Sequence, residues 1–317
     1  LEEWKPQERI SVVPNDKYWN KANVFLSKVV FLPIENDTTA YNKYVNGELD
    51  WQTSVPLELL NEIKLRDDYH VAPQLSSYYY EYNLNDPVFS DVRVRKALAM
   101  AIDRKALVEK VTAGGQVPAD AYVPPMDGYT PAKGNSFNVE QARALLADAG
   151  YPNGQGFPSK TILYNTTEGH KKIAEFIQQQ LKENLGISVE LQNMEWKTYL
   201  DERQSNNFEI ARAGWVGDYQ DASNFLELAL SNSGNNDGRY NNPRFDDLLK
   251  QAARMPDGKE RQDILHEAEE ILITQDQAFI PLYYYVSQNL INLDVWQGWY
   301  TNTQDIHPYI GVKKVSK

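Results

Sequence analysis

The stretch "FEIARAGWVGDYQDASNFLELAL", residues 208 to 230, reads as a buried strand that opens onto Asp218, with Trp215 and Tyr219 beside it. A carboxylate at a strand mouth can serve as an acid or base, a metal ligand or an anchor for a cation. A metal needs ligands at defined spacings, and His70, His170, His266 and His307 show no i,i+4 pairing and have no cysteine to assist them. Serine-nucleophile chemistry needs a G-x-S-x-G elbow, and no such pattern is present. Gly114-Gly115 and "NGQGFP" do not open helices after strands, so neither reads as a phosphate cradle. Glycoside hydrolysis stays open as a second class, with Asp218 and either Asp221 or Glu195 as paired carboxylates near aromatic platforms. The plainer readings are a solvated acid or helix cap for Asp218, core packing for Trp196 and Trp215, and weak surface ion pairs for Arg203 and Arg212.

These residues are positioned by an alternating run of elements. "KTILYNTT", "ISVELQNM" and "FEIARAGW" read as strands, separated by "GHKKIAEFIQQQLKENLG" and "WKTYLDERQSN" as helices. Short loops in a β-α-β-α-β order imply parallel strands, and ligands of open parallel sheets bind beyond the carboxyl ends. Those ends carry His170, Glu195 with Trp196, and Trp215 to Asp218, which the pattern gathers on one edge of one sheet. Upstream, "ERISVVPNDKYWNKANVFLSKVVFLPI" alternates as strands, a helix is capped near Asp37, and another starts at Pro56. "HVAPQLSSYYYEYNL" is extended, and "DVRVRKALAMAIDRKALVEKV" (91 to 111) is one helix with its basic residues on other faces. Residues 113 to 135 form a long Gly/Pro loop, and "NVEQARALLADAGYP" is a helix closed by Gly150. Two further helices precede "AFIPLYYYVSQNLINL", a late strand expected to pair with the early sheet around Val29 to Pro33.

At 317 residues the chain has room for two lobes. With 42% hydrophobic and 24% charged residues it is globular in composition. A net charge of −12 without a basic run excludes a nucleic-acid surface, and no stretch approaches the ~18 apolar residues a membrane span requires. The absence of cysteine excludes disulfides and thiol catalysis, while 20 tyrosines and 7 tryptophans suit wet binding surfaces as well as cores.

"FSDVRVRKALAMAIDRKALV" resembles the signature of the oligopeptide-binding proteins of bacterial ABC importers, solute-binding family 5. "NDKYWN", "EGHKKIAEFIQQQLKENLGISVELQNMEWKTYLDERQ", "FEIARAGWVGDYQDASNFL" and "IPLYYYV" extend the likeness along the whole chain. The resemblance implies an α/β, periplasmic-binding-protein type II-like fold of two lobes with a hinge, and a non-enzymatic receptor without cofactor. It also implies a periplasmic or cell-surface location, short peptides as ligands and a membrane ABC permease as partner. In that family an extended peptide pairs its backbone with protein strands between the lobes. Position by position, Asp218 corresponds to the acid that grips the peptide α-ammonium, and Arg203, Arg212 and His170 to groups that meet the C-terminal carboxylate. Trp196, Trp215 and Tyr284 match pocket positions, with Gly214 and Gly217 in the same stretch and Tyr79, Tyr80 and Glu81 on the tyrosine-rich strand. Family members carry a further N-terminal portion of roughly a domain, so one lobe is expected to be incomplete and a separate N-terminal chain or segment is a possible partner. The expected division is 1–75 with 277–317 as part of the first lobe and 76–276 as the second, well-ordered lobe. Two alternatives stand beside this: a carbohydrate-binding or carbohydrate-active protein, and a fragment that binds nothing by itself.

Overall fold

The computed structural model describes residues 1–315. Its larger compact unit, Leu75–Tyr285, is built on strands β1 (Tyr69–Tyr82), β2 (Lys160–Asn165), β3 (Val189–Met194), β4 (Ile210–Val216) and β5 (Phe279–Ile291). They are ordered β5-β1-β4-β2-β3. β2 runs parallel to both β3 and β4, with Ile162 opposite Leu191 and Ile210, as the short crossovers dictate. β1 is antiparallel to β4 and sets Tyr78 opposite Gly214 and Tyr80 opposite Arg212.

Helices cover both faces of the sheet. α1 (Val92–Met100), α2 (Val139–Asp148) and α3 (Glu168–Leu185) pack on Tyr78, Tyr80, Tyr82, Ile162 and Ile210. α4 (Trp196–Gln204), α5 (Pro243–Ala252) and α6 (Lys259–Glu269) lie on the alternate residues, α4 against Leu163 and Ala211 and the other two in the cluster around Tyr79 and Ala213. α3 shows why these segments are helical. The Thr167 hydroxyl caps its start by accepting from the His170 N–H at 3.0 Å, and Gly186 ends it at φ 73°. Ile173, Ala174, Ile177, Leu181 and Leu185 recur at helical spacing and are buried, each large side chain contributing roughly 1.5–3 kcal/mol.

The single helix expected over 91–111 is broken. α1 stops at Met100, and Asp103 caps a new turn, Arg104–Leu107, by accepting from the Ala106 N–H at 2.9 Å. An aspartate competes with helix continuation and favours a cap, so the chain bends there. The basic residues do not all face outward: Arg95 and Arg104 are buried and donate to backbone carbonyls, including Phe89 and Pro281 at 2.6 Å each.

The Gly/Pro segment 113–135 is largely irregular yet partly buried, so its backbone needs internal partners. Glu269 on α6 supplies them. One carboxylate oxygen accepts from the N–H groups of Tyr122 and Val123 at 2.9 and 2.7 Å; the other accepts from the Tyr129 hydroxyl and the Ala132 N–H at 2.6 and 2.8 Å.

The smaller unit comprises Leu1–Gln74 and Val286–Lys317, so the chain passes between units inside β1 and inside β5. Glu3–Lys5, Arg9–Val12 and Val29–Phe31 form a three-stranded antiparallel sheet. The helix Asp37–Val45 is capped one residue earlier than expected, by Asn36, whose side chain accepts from the Thr39 N–H at 2.8 Å. The late strand does not pair with Val29 to Pro33. Its end, Leu290–Ile291, pairs instead with Trp51–Gln52, where the Trp51 indole donates to Asn289 at 2.8 Å. Apolar residues on both faces mark a strand as interior without identifying its neighbour. No described helix is long and apolar enough to cross a membrane.

Candidate functional site

The parallel strands place His170, Trp196 and the 215–218 segment beyond the same edge of the sheet, but strand alternation separates the candidates onto its two faces. On one face is Arg212. Its guanidinium lies over the Tyr78 ring, 4.8 Å from the centroid, and donates to the Tyr285 hydroxyl at 2.6 Å and to Asn165 Oδ1 at 3.3 Å. Tyr78 stacks on Tyr283 at 4.6 Å and 11°. Arg212 Nε has no hydrogen-bond partner among the described residues, and the groups around the guanidinium are the neutral phenols of Tyr78 and Tyr285 and the Asn165 amide rather than a carboxylate. Gly214 makes this arrangement possible: a Cβ there would lie 2.8 Å from the Tyr285 hydroxyl and 3.2 Å from Arg212 Nη2.

His170 joins the same face, with Nδ1 3.1 Å from the Tyr78 hydroxyl. Burial, reinforced by the Arg212 charge, lowers its pKa to about 2, so the ring is neutral at physiological pH. Between the ordinary histidine value and about 2 the unfolded chain binds a proton that the folded chain does not, so stability falls as pH falls through that window, by about 1.4 kcal/mol per unit well inside it. His170→Gln is expected to remove about 1.5 kcal/mol of the stability lost between pH 6.5 and 5, seen as a flatter acid side of the Tm–pH curve. An unchanged acid slope in thermal melts would overturn this.

Arg203 and Glu81 lie on the other face. Arg203 donates to Glu81 at 2.7 Å and to Asp237 at 3.0 Å, so its charge is already paired. Burial pushes the Glu81 carboxyl up to about 7, against the opposing pull of Arg203. Tyr79 is packed edge-on to Tyr122 at 4.9 Å, and Tyr284 donates to the Val123 carbonyl at 2.9 Å. Tyr80, on the Arg212 face, is fully buried beside Tyr78. The structure therefore does not bring Tyr79, Glu81, Arg203 or Tyr284 to Arg212. Trp196 begins α4, is 51% exposed and stacks on Tyr199 at 5.8 Å.

Beyond β4 the chain turns sharply. The Gly217 N–H donates to the Leu75 carbonyl at 2.8 Å, and a Cβ on Gly217 would lie 2.9 Å from the Leu75 side chain. Asn224 Oδ1 accepts from both the Trp215 indole and the Asp218 N–H at 3.0 Å each, and the Asp218 side of this loop is exposed. The other acids once available for paired-carboxylate chemistry are engaged. Glu195 caps α4 by accepting from the Lys197 N–H at 2.9 Å, and Asp221 forms a two-pronged pair with Arg261 at 2.6 and 2.9 Å. Sequence reasoning missed Tyr78, Tyr283, Tyr285, Asn165 and Asn224. The period-2 rule applied to the two Tyr-Tyr-Tyr runs would have grouped 283 with 285, apart from 284.

A mixed sheet with helices on both faces and polar and charged groups beyond its parallel strand ends is an α/β fold of the class that receives ligands at that edge. The chain belongs to the bacterial extracellular solute-binding proteins, family 5, whose middle region matches residues 1–237. It is 39% identical over 315 residues to the periplasmic oligopeptide-binding protein of Escherichia coli K12, covering 95% of this chain and 56% of that protein. It is 40% identical over 302 residues to the periplasmic murein peptide-binding protein of the same organism, covering 92% and 56%. Among solved structures, a periplasmic oligopeptide-binding protein of Borrelia burgdorferi superposes with a TM-score of 0.92 at 40% identity, covering 98% of this chain and 62% of that one. The murein tripeptide-binding protein of Escherichia coli gives 0.93 at 37%, covering 100% and 64%. The fold is thus periplasmic-binding-protein type II, and the chain spans little more than half the length of the curated relatives it matches.

Proposed function

We propose that this chain forms the peptide-holding part of an exported receptor, periplasmic or at the cell surface, that delivers short peptides to an ABC permease. The observation that carries the reading is Arg212, a half-buried cation set among tyrosines and Asn165 with no carboxylate paired to it among the described residues. A guanidinium in that setting is prepared for a planar anion, and a peptide C-terminus is one. In this reading Arg212 and the neutral His170 receive the carboxylate, and Asp218 at the strand end receives the α-ammonium. Trp196 offers an exposed ring, while Trp215, Gly214, Gly217, Tyr79, Tyr80, Tyr284 and the Arg203–Glu81 pair hold the framework behind them. The two compact units correspond to two lobes. Relatives named for binding oligopeptides and murein peptides support the ligand class.

In the full-length protein, Asp218→Ala should weaken peptides with an unmodified amino terminus about ten-fold and leave N-acetylated ones unchanged, read by titration calorimetry. Equal affinities for both peptides in both proteins would sink the ammonium assignment.

A further inference from the structure

We infer that Asn224 is a positioning residue for Asp218, and that the Asp221–Arg261 pair braces the same loop from the other side. The inference rests on the reading of Asp218 as the ammonium anchor and adds to it the groups that fix where the anchor stands. Both donors that reach Asn224 are N–H groups, from the Trp215 indole and the Asp218 backbone. The atom between them is therefore the amide oxygen, and both of its lone pairs are used. Asn224 is only 6% exposed, so its oxygen is kept from water, and a buried acceptor with two directed donors is a rigid node. The node joins the end of β4 to the residue two beyond Val216, spanning the turn at Gly217. The residues between are held as well: Asp221 accepts from the Ser223 N–H at 2.9 Å while Arg261 of α6 grips both its oxygens. The loop bearing Asp218 is thus tied to the strand before it by Asn224 and to helix α6 by Arg261. Holding a charged group in place in advance avoids an ordering cost when the ligand binds.

The test compares one peptide, with and without N-acetylation, across Asp218→Ala, Asn224→Ala, Asn224→Asp and the double alanine variant of the full-length protein. The expected result is that Asn224→Ala weakens the unmodified peptide about five-fold, leaves the acetylated peptide unchanged and adds nothing in the Asp218→Ala background. Asn224→Asp retains the accepting oxygen and should restore the discrimination, which keeps the test decisive where the alanine variant folds poorly. Equal weakening of both peptides, or an effect that adds fully to Asp218→Ala, would show Asn224 to be structural only and overturn the inference. If instead Asp218→Ala itself changes neither peptide, the ammonium reading fails and takes this inference with it. The indole N–H resonance of Trp215 should shift in Asn224→Ala under every outcome that supports positioning; an unmoved resonance contradicts it.

Discussion

Glu269→Ala is expected to destabilise the protein by about 4 kcal/mol or more, because four donors lose their acceptor together and each stranded donor costs about 1–3 kcal/mol. Three of the four are backbone N–H groups, of Tyr122, Val123 and Ala132, and the fourth is the Tyr129 hydroxyl. All lie in the Gly/Pro segment, which forms almost no regular structure and so cannot satisfy them within itself. Glu269→Gln should fall between alanine and wild type: its oxygen keeps one pair of donors, while its amino group faces the other pair. Urea unfolding at constant m reads the difference directly, and a wild-type midpoint in Glu269→Ala would mean that water replaces the carboxylate at no cost.

The second large effect distinguishes two arginines that sequence alone placed together. Arg203→Met leaves Glu81 and Asp237 buried without their shared cation, which should cost about 3–5 kcal/mol of stability. Arg212→Met removes a half-buried charge that has no carboxylate partner among the described residues, so it strands no counter-charge; its stability should stay within about 1 kcal/mol of wild type. Binding is where the arginines differ again. Arg212→Met should weaken peptides with an unmodified carboxyl terminus by roughly ten- to a hundred-fold and spare C-terminally amidated ones. Comparable unfolding midpoints for the two variants, or loss of binding to the amidated peptide as well, would count against the assignment of the two faces.

The order of strands and helices between 159 and 216 could be read from the sequence because short loops and clear periodicities leave one topology, and β2, β3 and β4 have it. The faces could not. A run such as Tyr78-Tyr79-Tyr80 satisfies a period of two in either phase, and only the pairing of Tyr78 with Gly214 decides which rings meet Arg212. Burial of charge was likewise hidden. Arg203 and Arg212 have the same chemistry and similar flanks, yet one meets two carboxylates and the other tyrosines. Glu269 had a faint signal: it follows Leu265 by four residues and precedes Leu272 by three, the phase of the buried stripe on its helix. Asn224 had none, since a lone asparagine in "ASNFL" is indistinguishable from a cap until the Trp215 indole is seen to reach it.

The braced loop after β4 also offers a practical handle. Tyr219 stands next to Asp218 and is 50% exposed, while the sequence contains no cysteine. A Tyr219→Cys substitution would therefore create the one thiol of the chain, on backbone held from both sides and adjacent to the proposed amino-terminal anchor. A polarity-sensitive dye attached there would report ligand arrival as a change in fluorescence, without competing labelling elsewhere in these 317 residues, and the hydrogen bonds holding the loop would limit its own contribution to the signal.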